Sequence, residues 1–418
     1  MAIEPDLTRL QTSHPRLAAI FARHWGTSLG DYAPLLYQAE PQPLEPAWGV
    51  ALQTEWHRLG QTAPQANALW SQLQQTPVLQ TSHHLTPTHG PSFLSLDLQC
   101  LAGLPPGQTY LVGACSGVAF SNTAWSGALC FGQSRFADLL LPGPALAEAL
   151  KSQTERAGHS LAEEQRLSLI PSRWRDQLLF GQPLPERLRE LKPQFTPAMQ
   201  RLLGDFSGDY ADFAATTASR IQRQITGREL LVFDLPRVVA HYLALLVEAG
   251  TPHPLLNLLQ SPQALNLAPL AWMGNVAGKK SFKVEPWNWD GDSLQGEKSG
   301  VILQGWSALQ DRLLCRDLCP GVSLVFLCLL HLGIKALGSF NQVEYLADLR
   351  GRATLMNLRA PAPLGEELTT GRWLFKGQPT YPLDLALQGK KLNSTEFLDL
   401  TMGEFWEFYR HRLSRHES

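Results

Sequence analysis

Thr76-Pro77-Val78-Leu79-Gln80-Thr81, then Ser82-His83-His84-Leu85-Thr86-Pro87-Thr88-His89-Gly90-Pro91, then the run from Phe93 to Leu104, is the stretch on which the reading of the fold turns. The apolar residues after Pro77 read as a short strand. The polar residues that follow, punctuated by Pro and Gly, read as a loop, and Phe93 to Leu104 carries apolar residues at helical spacing. After Pro105-Pro106-Gly107 the run Thr109 to Ala114 reads as a second buried strand. A strand, a helix and a strand in succession imply a parallel sheet.

On the amino-terminal side, residues 1–75 show helical spacing, for example Leu17, Ile20, Phe21 and Trp25, broken by a linker from Pro41 to Pro46. They are expected to form a helical layer. Residues 76–144 make the first half of the core, 145–225 a helical insert broken by Pro171, Pro183, Pro185, Pro193 and Pro197, 226–350 the second half, and 351–418 a helical extension. The second half holds a strand at Glu229 to Asp234, a helix from Arg237 to Glu248, and a hairpin turning at Gly278-Lys279-Lys280. Residues 307–335 return to helix, a further helix opens after Gly338 with Ser339 or Asn341 as cap, and Ser394 to Arg412 reads as a closing amphipathic helix. The expected class is α/β, a Rossmann-like parallel sheet core with a helical insert and helical N- and C-terminal layers.

Lys and Arg number 35 against 37 Asp and Glu, a net charge of −2, so the chain offers no global attraction for nucleic acid or an anionic membrane. Its most apolar run, Val322 to Leu332, is about half the roughly 20 residues that span a bilayer. The acidic opening Met1-Ala2-Ile3-Glu4-Pro5-Asp6 lacks the layout of a secretory signal, and the six cysteines read as reduced thiols. A cytoplasmic protein with small-molecule partners is expected, and a homo-oligomer is compatible with the composition.

Chemistry concentrates in four places. The turn with His83, His84 and His89 precedes a helix start at Gly90-Pro91, where free N–H groups favour an anion and imidazoles can move protons. No metal is expected there, because His83 and His84 are neighbours in extended chain and face opposite sides. The small-residue stretch after the second strand, with Cys115, Ser116 and Asn122, lets a ligand approach the backbone. Lys279 and Lys280 could neutralise phosphate, although basic hairpins are commonly solvated faces. Asn341, Gln342 and Glu344 sit as polar groups between apolar runs, a pattern that calls either for a ligand or for capping. Cys315 and Cys319, at i and i+4, read as core residues sharing a helix face.

Taken in order, these segments resemble the cysteine-adding enzyme family of bacillithiol biosynthesis. Thr81, Gly90 and Pro91 match that family's first strand-to-helix loop, while Ser82 and His84 depart from it. Leu230 to Asp234, Gly278-Lys279-Lys280 and Leu337-Gly338 through Glu344-Tyr345 resemble its later strand, hairpin and helix entry; Cys115-Ser116-Gly117 stands where the family has an acidic-histidine sequence. The resemblance implies an enzyme joining an amine or amino acid to a second substrate through a C–N bond, with ATP or another nucleotide as cofactor. His83, His84 and His89 would then be catalytic, Thr81, Gly90, Ser116, Asn122, Asn341, Gln342 and Glu344 would bind substrate, and Lys279 and Lys280 phosphate. The rival expectations are a metal-dependent hydrolase using the same histidines with Asp234, and a non-catalytic binding protein.

Overall fold

The structure is a computed structural model that describes residues 7–120, 127–132, 139–151, 164–171, 174, 177–205, 208–260, 266–267, 271–277, 282–369, 374–375, 378–392 and 394–405. Its strands are β1 (Val78–Gln80), β2 (Tyr110–Ala114), β3 (Ala128–Gly132), β4 (Glu164–Ser168), β5 (Leu230–Asp234), β6 (Trp272–Ala277), β7 (Phe282–Trp289), β8 (Ser293–Gly296), β9 (Ile302–Gln304), β10 (Leu318–Pro320), β11 (Lys335–Leu337), β12 (Leu374–Phe375) and β13 (Gln378–Pro379). Four of them form the expected parallel sheet, in the order β11-β1-β2-β5.

The period-two alternation of these strands divides the interior into two cores. Tyr110, Val112, Leu230 and Val232 join one apolar cluster with the helices Pro15–His24, Pro91–Gly103 and Tyr210–Thr226. Leu111, Leu231 and Phe233 join the other with the helices Pro46–Arg58, Leu235–Ala249 and Val322–Leu332. The last of these is apolar nearly all round, which suits a helix enclosed on most sides. Helices thus cover both faces of the sheet.

The helix Pro91–Gly103 ends against the N-terminal layer: a Cβ at Gly103 would run into the Ala33 carbonyl. Gly103→Ala is therefore expected to lower unfolding free energy by about 1–3 kcal/mol, the usual range for overpacking, as read from urea denaturation. The outer edge of β5 is closed by side chains rather than by another strand. Arg223 Nε donates to the Leu230 carbonyl at 2.8 Å, the Val232 N–H donates to Ser219 Oγ at 2.9 Å, and the Asp234 N–H donates to Glu55 Oε1 at 3.2 Å. Polar groups seated this way block edge-to-edge pairing with another chain.

Several expected elements differ. Residues 271–320 contribute a five-stranded antiparallel sheet, β10-β6-β7-β8-β9, outside the parallel one. The expected hairpin is real in its strands, β6 and β7; its turn, with Lys279 and Lys280, lies outside the described residues. β4 falls within the expected helical insert and pairs with β3, and β12 and β13 fall within the expected helical extension. The continuous helix expected over 307–335 is interrupted, because the helix Gly305–Leu314 stops at Cys315 and β10 follows. Arg316 makes that stop with φ 66°, a left-handed conformation more usual for Gly or Asn. Cys315 is accordingly exposed and Cys319 buried on β10, so the two do not share a helix face. The closing helix is also broken: Thr395–Leu398 ends before Thr401, which bridges to Ser28. Among the described residues no helix is long and apolar enough to cross a membrane.

Candidate functional site

The parallel strands all point their carboxyl ends to one edge, and the order β11-β1-β2-β5 reverses between β1 and β11. In open α/β sheets ligands bind at such a reversal. The junction is closely stitched. Gln80 Oε1 accepts from the Thr81 and Ser82 N–H groups, both at 2.8 Å, and Gln80 Nε2 donates to Thr369 Oγ1 at 2.9 Å. Thr81 Oγ1 donates to the Leu337 carbonyl at 3.0 Å and accepts from Gln342 Nε2 at 2.5 Å. A Cβ at Gly338 would collide with the Gln342 side chain, so this glycine serves close approach rather than an unusual backbone angle. Two expected binding residues, Thr81 and Gln342, therefore meet, but they meet each other.

The loop after β1 continues alongside the loop after β2. The Cys115 N–H donates to the His83 carbonyl at 2.7 Å and the Leu85 N–H to the Cys115 carbonyl at 3.1 Å, which makes His84 and Cys115 a parallel bridge pair. Side chains of such a pair share one face. His83 lies on the other face, against His89 and Phe93, with ring centroids 4.7 and 5.0 Å away. His83 and His89 are 1% and 2% exposed, whereas His84 is half-buried. Among the described polar or thiol side chains of the loops after β1, β2 and β11, those not fully buried are Ser82, His84, Cys115 and Ser339.

Burial first, then the neighbouring His83, pushes the His84 imidazole down to about 4. Burial likewise holds His89 well below the ordinary histidine value. These two rings are uncharged at neutral pH, so they offer hydrogen bonds instead of the positive charge expected of an anion trap. Burial also pushes the Cys115 thiol up to about 12, so it is no ready thiolate.

Ser116 is fully buried and donates to Asp234 Oδ1 at 2.5 Å. Asp234 caps the helix Leu235–Ala249 and pairs with Arg316 Nη2 at 3.3 Å. It belongs to a clamp with Glu55, Arg58, Asp209, Asp212, Arg237 and Arg316. Four carboxylates face three guanidiniums, which leaves negative charge in excess. Burial above all raises Asp234, Glu55 adds to that, and Arg237 opposes it. The same clamp explains Arg316, whose left-handed backbone is held by its pairs to Asp209 and Asp234.

The remaining candidates disperse. Gly90 is the N-cap of the helix Pro91–Gly103. Gly117 packs on Pro320 and Pro236 and leaves no ligand space. Asn341 is exposed, and Glu344 Oε1 accepts the Leu17 N–H at 2.8 Å, capping the helix Pro15–His24. Asn122, Lys279 and Lys280 lie outside the described residues. A cavity of about 600 Å³ lies along the free edge of β5, lined by Gln61, Thr109, Arg220, Arg223 and Glu229, away from every expected site residue. Its two arginines donate to the Leu202 and Leu230 carbonyls.

Sequence reasoning missed Gln80 and Asp97 in the histidine region and, apart from Asp234, the members of the Glu55 clamp. Asp97 carried a faint signal as an acidic residue in an otherwise apolar helix; the clamp carried none, since its members are scattered from 55 to 316. Comparison of the chain with models of known families, with curated proteins and with solved structures gives no match.

Proposed function

We propose that the chain is a small-molecule biosynthetic enzyme of the cytoplasm that forms a C–N bond between an amine or amino acid and a second substrate. The observation that carries this reading is that the partly exposed Ser82, His84 and Ser339 lie on the loops after β1 and β11, between which the parallel strand order reverses, with Cys115 beside them on the loop after β2. The resemblance to the cysteine-adding enzymes of bacillithiol synthesis supplies the reaction class. Ser82, His84 and Ser339 contact substrate, while Thr81, Gln342 and Ser116 hold the loops that present them. The amine attacks an electrophilic carbon, loses a proton and displaces the leaving group. Positioning the two reactants is the main contribution such a site makes. ATP or another nucleotide would supply the activation of the second substrate, and Lys279 and Lys280, which lie outside the described residues, would be the residues to neutralise its phosphates.

Differential scanning fluorimetry of the full chain with ATP, ADP and individual amino acids tests this. A ligand at 100 times its Kd should stabilise by about 2.7 kcal/mol. His84→Ala should weaken that ligand about tenfold, the worth of one hydrogen bond to a charged group. A melting temperature unmoved by every compound would overturn the proposal. The hydrolase alternative named Asp234 as an example of its carboxylate; Asp234 is committed to Ser116 and Arg316, and the carboxylate beside the histidines is Asp97.

A further inference from the structure

Beneath the carboxyl edge, the buried side chains of His83, His89 and Asp97 come together beside Phe93. All three are buried, and one donor atom from each lies within 4.8 Å of the other two. His83 Nε2 is 3.0 Å from Asp97 Oδ1, yet the two are not aligned for a hydrogen bond, and neither ring nitrogen of His83 has a hydrogen-bond partner. His89 Nε2 is likewise buried without a partner. Phe93 packs on both rings, at 5.0 and 5.3 Å between centroids. Buried ring nitrogens are ordinarily satisfied, so both nitrogens of His83 and Nε2 of His89, without hydrogen-bond partners beside one carboxylate, call for an occupant.

The surroundings already orient these groups as a metal site would need. The His89 ring hydrogen-bonds the His84 backbone, which leaves its unpartnered Nε2 as the lone-pair nitrogen of the neutral ring. Asp97 is held by the Tyr110 hydroxyl on Oδ1 at 2.9 Å and by Gln222 Nε2 on Oδ2 at 2.8 Å. Metal-ligating histidines and carboxylates are characteristically fixed by outer partners of this kind. Donors about 2.1 Å from a tetrahedral ion stand about 3.4 Å apart, so the observed separations close with small side-chain movements.

A second histidine–carboxylate group shows the contrast. Glu45, His253 and His331 also come together. There His253 Nδ1 accepts the Leu255 N–H and His331 Nδ1 accepts the Arg359 N–H, both at 3.2 Å. Each of those rings therefore carries its proton on Nε2, directed at Glu45, and has no lone pair left for a cation.

We propose that His83, His89 and Asp97 bind one divalent cation of the zinc class, which ties the loop after β1 to the helix Pro91–Gly103. Two imidazoles and one carboxylate are a donor set that zinc accepts, and cobalt can report on it by its colour. The expectation of no metal weighed His83 against His84, which face opposite sides; His89 returns to the His83 side. The site stands independently of the C–N bond reading, since it needs no substrate.

The test uses the purified full chain, stripped with EDTA and dialysed against Zn²⁺ or Co²⁺. One equivalent of retained metal by mass spectrometry, a higher melting temperature and a Co²⁺ absorption band are expected. His89→Ala and Asp97→Asn should lose all three responses, and Gln222→Leu should bind about 10- to 100-fold more weakly. His253→Ala should retain them. A wild-type chain that keeps no metal and whose melting temperature ignores Zn²⁺ and Co²⁺ would overturn the site, as would full metal retention by His89→Ala. The wild-type measurements decide the matter even where a variant fails to fold.

Discussion

Replacing Glu55 by alanine is expected to cost roughly 3–5 kcal/mol of stability, the range for removing one partner of a buried ion pair. Glu55 is 2% exposed and sits at the centre of the clamp. Arg58 donates to both its oxygens, at 2.6 and 2.9 Å, and its Oε1 also accepts the Asp234 N–H on the open edge of β5. The variant would remove two hydrogen bonds from Arg58, which keeps its pair with Asp212, orphan a buried backbone donor and leave a void, three losses that act in the same direction. One effect opposes them: without the Glu55 charge, Asp234 ionises more readily, because Glu55 is among the groups that raise it. Glu55→Gln keeps an acceptor for the Asp234 N–H and should lose less. Urea unfolding at pH 7 separates the two; equal, small losses in both variants would show that the clamp contributes little.

Asp384→Asn is expected to stabilise the protein at pH 8 by roughly 3–4 kcal/mol, and hardly at all at pH 4. Asp384 is 7% exposed; the Gly132 N–H donates to its Oδ2 at 2.9 Å, and its Oδ1 has no partner. Burial raises this carboxyl from 3.8 to about 7, and the Gly132 bond only partly opposes that. The folded chain thus keeps a proton that the unfolded chain releases above pH 3.8. Its contribution is fully present below that value and is lost as pH rises to about 7. An asparagine cannot ionise and can still accept the Gly132 N–H. Thermal unfolding of both proteins from pH 4 to pH 8 gives the comparison, and parallel curves would refute the argument.

Much of the parallel core was legible because its signals are local. Val78 to Gln80 and Tyr110 to Ala114 are short apolar runs, Pro91 stands at the first turn of its helix, and Gly227 and Gly250 end helices in the left-handed conformation. The break at Arg316 was not legible, since a non-glycine residue in that conformation is sustained by Asp209 and Asp234, which lie 107 and 82 positions away. The candidate site was legible in place but not in partners. Glu344 was seen as a polar group lacking an explanation, and its explanation is an N–H 327 positions away.

Hydrophobic periodicity, prolines and glycines in the chain itself determined that strands and helices alternate through residues 76–114 and 229–249, because those signals act between neighbours a few positions apart. Tertiary structure alone decided that His83 faces His89 and Asp97 while His84 meets Cys115, and that Asp234 closes a clamp instead of serving the histidines. Such pairings depend on which buried faces press together, and the free energy of satisfying a buried polar group belongs to the assembled interior rather than to any one segment.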